Sequence, residues 1–328
     1  LLLVADVRGM SRSANALVRG YRDFDPGIRF AGVIFNHIGS PRHRDMIEEE
    51  LPVPAFGWIP WQKDLAVESR HLGLRMAFET AGMAQFGGLI NEHCDIGAIL
   101  DAARSAPAIL PPDGWAEEEQ GGRVKIGVAS DPAFCFYYQD NLDRLSSHGA
   151  DLVFFSPMND HLPKIDGLYL GGGYPELYAQ ALENGPARLE IRHAIEAGMP
   201  AYGECGGLVY LTRSISTDRE YRMIGLLPAR AFQHERFQAL GYVSATCSAK
   251  TPLIPLGHTY RGHEFHYSSV ECDPDTRFCL TLARGSGIDN GRDGISEANA
   301  LAGYTHAYFT DTFARSFIRA AATHTGLS

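Results

Sequence analysis

The run Pro200-Ala-Tyr-Gly-Glu-Cys-Gly-Gly-Leu-Val-Tyr210 limits the possible folds of this chain more than any other stretch. A short apolar segment leads into Cys205, two glycines follow, and an amphipathic segment begins at Leu208. That order predicts strand, sharp turn and helix with the thiol on the turn, a nucleophile-elbow arrangement. Gly206 lets backbone N–H groups come close to a reacting carbonyl. The start of a helix adds partial positive charge, which favours thiolate over a thiol of ordinary pKa ~8.5. A buried structural cysteine is the plain alternative, and the Glu-Cys-Gly-Gly context argues against it.

The surrounding pattern agrees with such a unit. Apolar runs at 1–5, 30–35 and 53–59 alternate with helical patterns near 11–21, 41–50 and 82–103. Pro41 after Ser40 suits a first helical turn. Residues 106–122, rich in proline, glycine and acid, predict a linker between residues 1–105 and 123–328. Beyond it, short strands at 124–129, 151–155, 167–170 and 199–203 alternate with helical patterns at 136–148, 175–183 and 187–197. This predicts a parallel sheet with helices on both faces, that is, an α/β fold in two domains. From about 222 to 305 strands and turns dominate, so the sheet is expected to become mixed, and a last helix is expected at 311–323.

Composition narrows the functional classes. A chain of 328 residues can bury two cores, and a net charge of −10 without a Lys/Arg cluster argues against nucleic-acid partners. The six cysteines form no Cys-x-x-Cys pair or zinc spacing, so reduced thiols, no tightly bound metal and a cytoplasmic location are expected. No apolar run reaches membrane-spanning length. The chain opens Leu-Leu-Leu-Val-Ala-Asp6 without signal-peptide features, as a core strand already under way, which predicts that the natural protein begins further upstream.

Five further segments carry chemistry. Leu170-Gly-Gly-Gly-Tyr-Pro-Glu176 runs a strand into three glycines, whose bare amides suit an oxyanion hole or simply a tight turn. Gly303-Tyr-Thr-His306 places a histidine at a strand end, where it could serve as base to Cys205 or as a hydrogen-bonded structural group. In Tyr260-Arg-Gly-His-Glu-Phe-His-Tyr-Ser268, strand alternation puts His263, Phe265 and Tyr267 on one face and Glu264 and His266 on the other. So polar a strand is expected to wall a site or to pair structurally; its His-x-x-His spacing argues against zinc. Asp6, ending the first strand, and Asn36, ending the second, stand where α/β nucleotide enzymes hold Mg²⁺ or a base edge, though an N-cap or turn role fits them equally.

Together these segments resemble the cobyrinic acid a,c-diamide synthase family of glutamine-dependent amidoligases over nearly the whole chain. The likeness is carried by Asp6-Val-Arg-Gly-Met-Ser-Arg-Ser13, Gly32-Val-Ile-Phe-Asn36, Arg70-His-Leu-Gly-Leu74, Phe154-Phe-Ser-Pro157, Leu170-Gly-Gly-Gly-Tyr-Pro-Glu176, Tyr202-Gly-Glu-Cys-Gly-Gly-Leu208, Gln238-Ala-Leu-Gly-Tyr242 and Arg261-Gly-His-Glu-Phe-His-Tyr-Ser268. The resemblance implies an ATP-dependent synthetase domain of the dethiobiotin-synthetase type, then a class I (flavodoxin-like) glutaminase domain. It implies ATP and Mg²⁺ as cofactors, with L-glutamine and an anionic corrinoid as substrates, and it admits a homodimer. Carboxylates a and c of the macrocycle would become acyl phosphates, to be displaced by ammonia. Cys205 would form the γ-glutamyl thioester with His306 as base. Gly206 with Gly172 or Gly173 would form the oxyanion hole. Tyr174, Glu204, Arg261, His263, Glu264 and His266 would line the site. Related glutaminases carry a glutamate two residues after the histidine, but position 308 is Tyr. A Cys/His dyad oriented by another group is therefore expected. The family's phosphate-binding loop belongs upstream of residue 1, so weak ATP binding is expected of this chain. The rival readings are the same diamidation on nickel sirohydrochlorin, a cysteine hydrolase on the same fold, and a non-catalytic docking subunit.

Overall fold

The computed structural model describes residues 1–65, 83–108 and 124–326, which fall into two compact units dividing at Pro112/Asp113. The Arg70 motif and most of the 106–122 segment lie outside the described residues. In the first unit β1 (Leu2–Asp6), α1 (Ser13–Phe24), β2 (Gly32–Ile38), α2 (Pro41–Glu48) and β3 (Ala55–Pro60) make a parallel β1-β2-β3 sheet. Val7, Val18, Phe35 and Ile47 are buried together in one core cluster, and Ile34, Ile59 and Cys94 in a second. Helix α2 starts where Ser40 Oγ accepts from His43 N, with Pro41 in the first turn. The single helix anticipated over 82–103 is instead two, α3 (Met83–His93) and α4 (Ile96–Arg104). The break has a local cause: Asp95 leaves the helix to cap the next one through Ala98 N, and its own amide is bonded to Phe56 O.

The second unit begins with β4 (Val124–Ala129), α5 (Gln139–Ser147), β5 (Ala150–Phe155) and β6 (Gly167–Leu170). A 3₁₀ turn at Pro175–Tyr178 then precedes α6 (Ala179–Asn184), so the helix anticipated at 175–183 starts late. Next come α7 (Ala187–Glu196), β7 (Ala201–Glu204), α8 (Gly206–Leu211), β8 (Ser214–Ser216), β9 (Glu220–Arg222), β10 (Ala229–Gln233) and β11 (Ala239–Cys247). The unit closes with β12 (Thr259–His266), β13 (Ser268–Cys272), β14 (Phe278–Arg284), β15 (Arg292–Glu297), β16 (Ala300–Gly303), β17 (His306–Ala307) and α9 (Asp311–Thr325). The main sheet has ten strands in the order β17-β12-β11-β14-β15-β16-β7-β6-β4-β5. It is parallel from β5 to β16 and antiparallel beyond, the change of character expected after residue 222.

Burial on both faces explains the parallel part. Leu168, Leu170 and Ala201 enter one core with Ile191, Ile195 and Leu208, whereas Tyr169 and Tyr202 enter a second with Phe309, Phe313 and Phe317. Among the described residues no helix is long and apolar enough to cross a membrane.

Candidate active site

Cys205 stands between β7 and α8 with φ 48° and ψ −93°, a backbone conformation that is strained for any residue but glycine. The strain has structural support. Cys205 N donates to Gly303 O at 2.8 Å, and Gly207 N donates to Gly171 O at 3.0 Å. At Gly207 a β-carbon would run into the Leu170 carbonyl, and at Gly203 it would press on Leu211. The two glycines after the thiol and the one before Glu204 therefore let α8 lie directly on the sheet.

The three-glycine turn lies against this elbow. The space a β-carbon would occupy at Gly206 is 3.1 Å from Gly173 N. Gly172 N donates to Phe136 O at 3.2 Å, so it is not available to an oxyanion and drops out of the expected pair. Gly173 N has no backbone acceptor among the described residues, and Gly206 N bonds the Cys205 sulfur, which leaves these two as the amides not taken up by another carbonyl. Tyr174 is buried, with its ring tilted against Phe136, and serves as packing under this turn.

His306 opens β17 and is 6 % exposed. A β-carbon at Gly172 would collide with its Cε1, so the glycine turn fits directly against the imidazole edge. The ring of His263, its partner across the β12–β17 pair, stacks on it at 4.6 Å and 11°. Tyr138 OH in turn meets His263 Nδ1 at 2.7 Å. Burial first, then the neighbouring His263 and His266, lower the His306 pKa to about 3, so the ring is neutral at pH 7. Cys205 contradicts the anticipated thiolate. Burial, reinforced by Glu176, pushes its thiol up to about 12, and the Gly206 amide offsets only part of this. The free site thus holds a neutral thiol at the elbow and a neutral imidazole against the glycine turn, with Sγ directed at Phe265 O, 3.9 Å away.

The remaining expected residues divide. Arg261 is exposed on the same face of β12 as His263, while its carbonyl accepts from Tyr308 N. Glu264 is corrected: it is buried on the opposite face and accepts from Ser286 N (2.6 Å) and Gly287 N (2.9 Å), which fastens a loop and does not wall the site. His266 stacks on Tyr304 at 3.5 Å, and its Nδ1 meets Ser268 O. Glu204 is 1 % exposed and accepts from Tyr169 OH and Ala307 N, both at 2.9 Å, so it backs the site without facing it. Tyr308 turns outward to bond Asp140.

Sequence reasoning misses Asp293. This residue is 0 % exposed on β15 and accepts from Tyr304 N (3.0 Å), Thr305 N (3.1 Å) and Thr305 Oγ1 (2.7 Å), which fixes the turn leading into His306. Those partners lie eleven and twelve residues onward, so no local spacing could announce them. Removing the carboxylate strands three buried donors at about 1–3 kcal/mol each. We expect Asp293→Ala to lower unfolding stability by about 3 kcal/mol or more; a urea titration with an unchanged midpoint would refute this.

In the first unit, Asp6 and Asn36 are paired in register at the carboxyl ends of β1 and β2. Asp6 accepts from Arg8 N (3.0 Å) and the Arg8 guanidinium (2.9 Å) and pairs with His37 Nδ1 (2.9 Å). These bonds to Arg8 and His37 hold its carboxyl far below the usual range. Asn36 Oδ1 accepts from His37 N. Both Asp6 oxygens are engaged, and no three His, Cys, Asp or Glu side chains among the described residues are grouped to hold a metal. As arranged, Asp6 is an ion-pair acceptor to Arg8 and His37.

An elbow cysteine, a buried histidine and an open glycine turn at the carboxyl ends of parallel strands define a glutamine amidotransferase domain. Residues 125–313 match the model of the CobB/CobQ-like glutamine amidotransferase domain. The chain is 39% identical over 358 residues to a cobyrinate a,c-diamide synthase of Methanosarcina barkeri, covering 98% of this chain and 72% of that protein. It is likewise 39% identical over 335 residues to the one of Archaeoglobus fulgidus (98% and 73%). The chain belongs to the cobyrinate a,c-diamide synthase family. Among solved structures, PurLQS from Thermotoga maritima aligns with a TM-score of 0.47 at 16% identity, covering 62% of this chain and 99% of that one.

Proposed function

We propose that this chain hydrolyses glutamine at Cys205 and supplies the ammonia for amidation of the a and c acetate carboxylates of cobyrinic acid. The observation that carries the glutaminase half is the strained Cys205 elbow facing the Gly173 and Gly206 amides, with neutral His306 against the same glycine turn. His306 takes the thiol proton as Sγ adds to the glutamine δ-carbonyl, and the oxyanion is met by the two amides. The imidazolium returns that proton to the departing ammonia, which leaves a γ-glutamyl thioester. Water, deprotonated by the same imidazole, then releases glutamate. ATP and Mg²⁺ belong to the proposed amidating half through the family, and no step is routed through Asp6 or Asn36.

The test is intact-mass and peptide mapping after treatment with an electrophilic glutamine analogue, together with product analysis on cobyrinic acid and on nickel sirohydrochlorin by a protein that carries the family's phosphate-binding loop. One adduct on Cys205, blocked by excess glutamine, with diamide formed from the corrinoid, is the expected result. Labelling scattered over several cysteines, or amide formed on neither macrocycle, overturns the proposal. Amide formed only on the nickel macrocycle replaces the acceptor and leaves the glutaminase in place.

A further inference from the structure

His306 lacks the carboxylate neighbour that its position 308 would supply, yet its strand is not left loose. Two groups from the nucleophile's own segment grip the base on either side. Cys205 N holds Gly303 O, three residues before His306, and the Glu204 side chain holds Ala307 N, one residue after it. Glu204 is the last residue of β7 and is buried, and its Oε1 reaches from the nucleophile strand to the base strand. Its Oε2 accepts from Tyr169 OH, which fixes the carboxyl from the neighbouring strand β6. Asn141 completes the frame, with Nδ2 on Ala307 O and Oδ1 accepting from Phe309 N.

Burying a carboxyl is costly unless its oxygens are satisfied, and an apolar side chain would fill the same volume more cheaply. An apolar residue could not couple the two halves of the dyad, however. Any rotation of β7 at the elbow is carried by one rigid side chain to the amide beside His306.

We infer that Glu204 is a positioning residue that links the Cys205 elbow to the His306 strand in place of the absent third triad member. This rests on the glutaminase reading above. Glu204→Leu keeps the volume and removes the acceptor, whereas Glu204→Gln keeps an acceptor for Ala307 N. In glutamine hydrolysis by the full chain, with folding followed by circular dichroism and melting, Leu is expected to lower kcat about 100-fold with KM for glutamine within about threefold of the parent. Gln should recover kcat to within about tenfold. A folded Leu variant with kcat within threefold of the parent overturns the inference. So does a Gln variant no better than Leu, or a loss that appears in KM alone. Should Leu fail to fold, Tyr169→Phe decides, since it frees one side of the carboxyl: kcat lowered at unchanged KM supports the link, and unchanged kcat overturns it. Cys205→Ala run in parallel separates the two levels. If it hydrolyses glutamine as the parent does, the glutaminase reading itself fails, whatever Glu204 does.

Discussion

Cys205→Ala will leave glutamine hydrolysis about 10⁴-fold or more below the parent rate, while the fold and the binding of glutamine persist. The thiol is the one nucleophile at the elbow, and the two glycines that follow it leave no side chain to replace it. Alanine suits the space and bears the same strain at φ 48° that cysteine bears, so little change of stability is expected beside the large loss of rate. In a protein that carries the family's phosphate-binding loop, amidation driven by added ammonium salt should survive, because ammonia bypasses the thioester. A variant that kept a tenth of the parent hydrolysis would place the chemistry elsewhere. Serine is the sharper companion. It preserves the hydrogen-bonding shape, but its hydroxyl is a weak nucleophile unless a base takes its proton, so Cys205→Ser should be nearly as inactive.

Several parts of this arrangement are legible in the residues, for reasons that can be named. The elbow is local: an apolar strand, a cysteine and two glycines can hardly be joined otherwise, because the glycines are what let α8 contact Leu170. The capped start of α2 is equally local, with Ser40 and Pro41 side by side. Alternation along β12 separates His263 from Glu264 and His266 on the period of a strand alone, and the folded strand keeps that separation. What alternation cannot say is which face meets the thiol. Glu264 is therefore expected in the wall, although it fastens the 286–287 loop.

Asp293 and the second bond of Glu204 are beyond reach for a different cause. The partners of Asp293 come from the turn between β16 and β17, and those of Glu204 from β17 and β6, contacts of the folded sheet that no spacing records. The helix break at Asp95 is readable, since an aspartate three residues before Ala98 is a good cap, but the long apolar period masks it. The expected thiolate fails on energetics. A helix start of six residues is outweighed by the desolvation of the sulfur.

His306→Ala will lower kcat for glutamine about 10³-fold or more, and in the parent the acid limb of kcat/KM will lie below pH 5. A base works only while neutral. An ordinary histidine of pKa ~6.5 would be more than nine-tenths protonated at pH 5, and its enzyme nearly silent there. Burial beneath the glycine turn and against the His263 ring holds His306 near 3, so its neutral form persists far into acid. A limb at pH 6 to 6.5 would mean that the imidazole is open to water in solution. Stability carries the same signature. The unfolded chain takes a proton on this histidine below about 6.5 and the folded chain does not until about 3. The contribution of His306 is therefore fully present above 6.5 and lost as pH falls toward 3. Glu204 runs the other way. Its folded pKa, raised by burial to about 8 from 4.5, makes its contribution complete below 4.5 and lost as pH rises to 8. Melting temperature followed from pH 4 to 9 should accordingly decline less on the acid side in His306→Ala and less on the alkaline side in Glu204→Gln. Parallel curves for parent and variants would mean that neither group is desolvated as the structure has it.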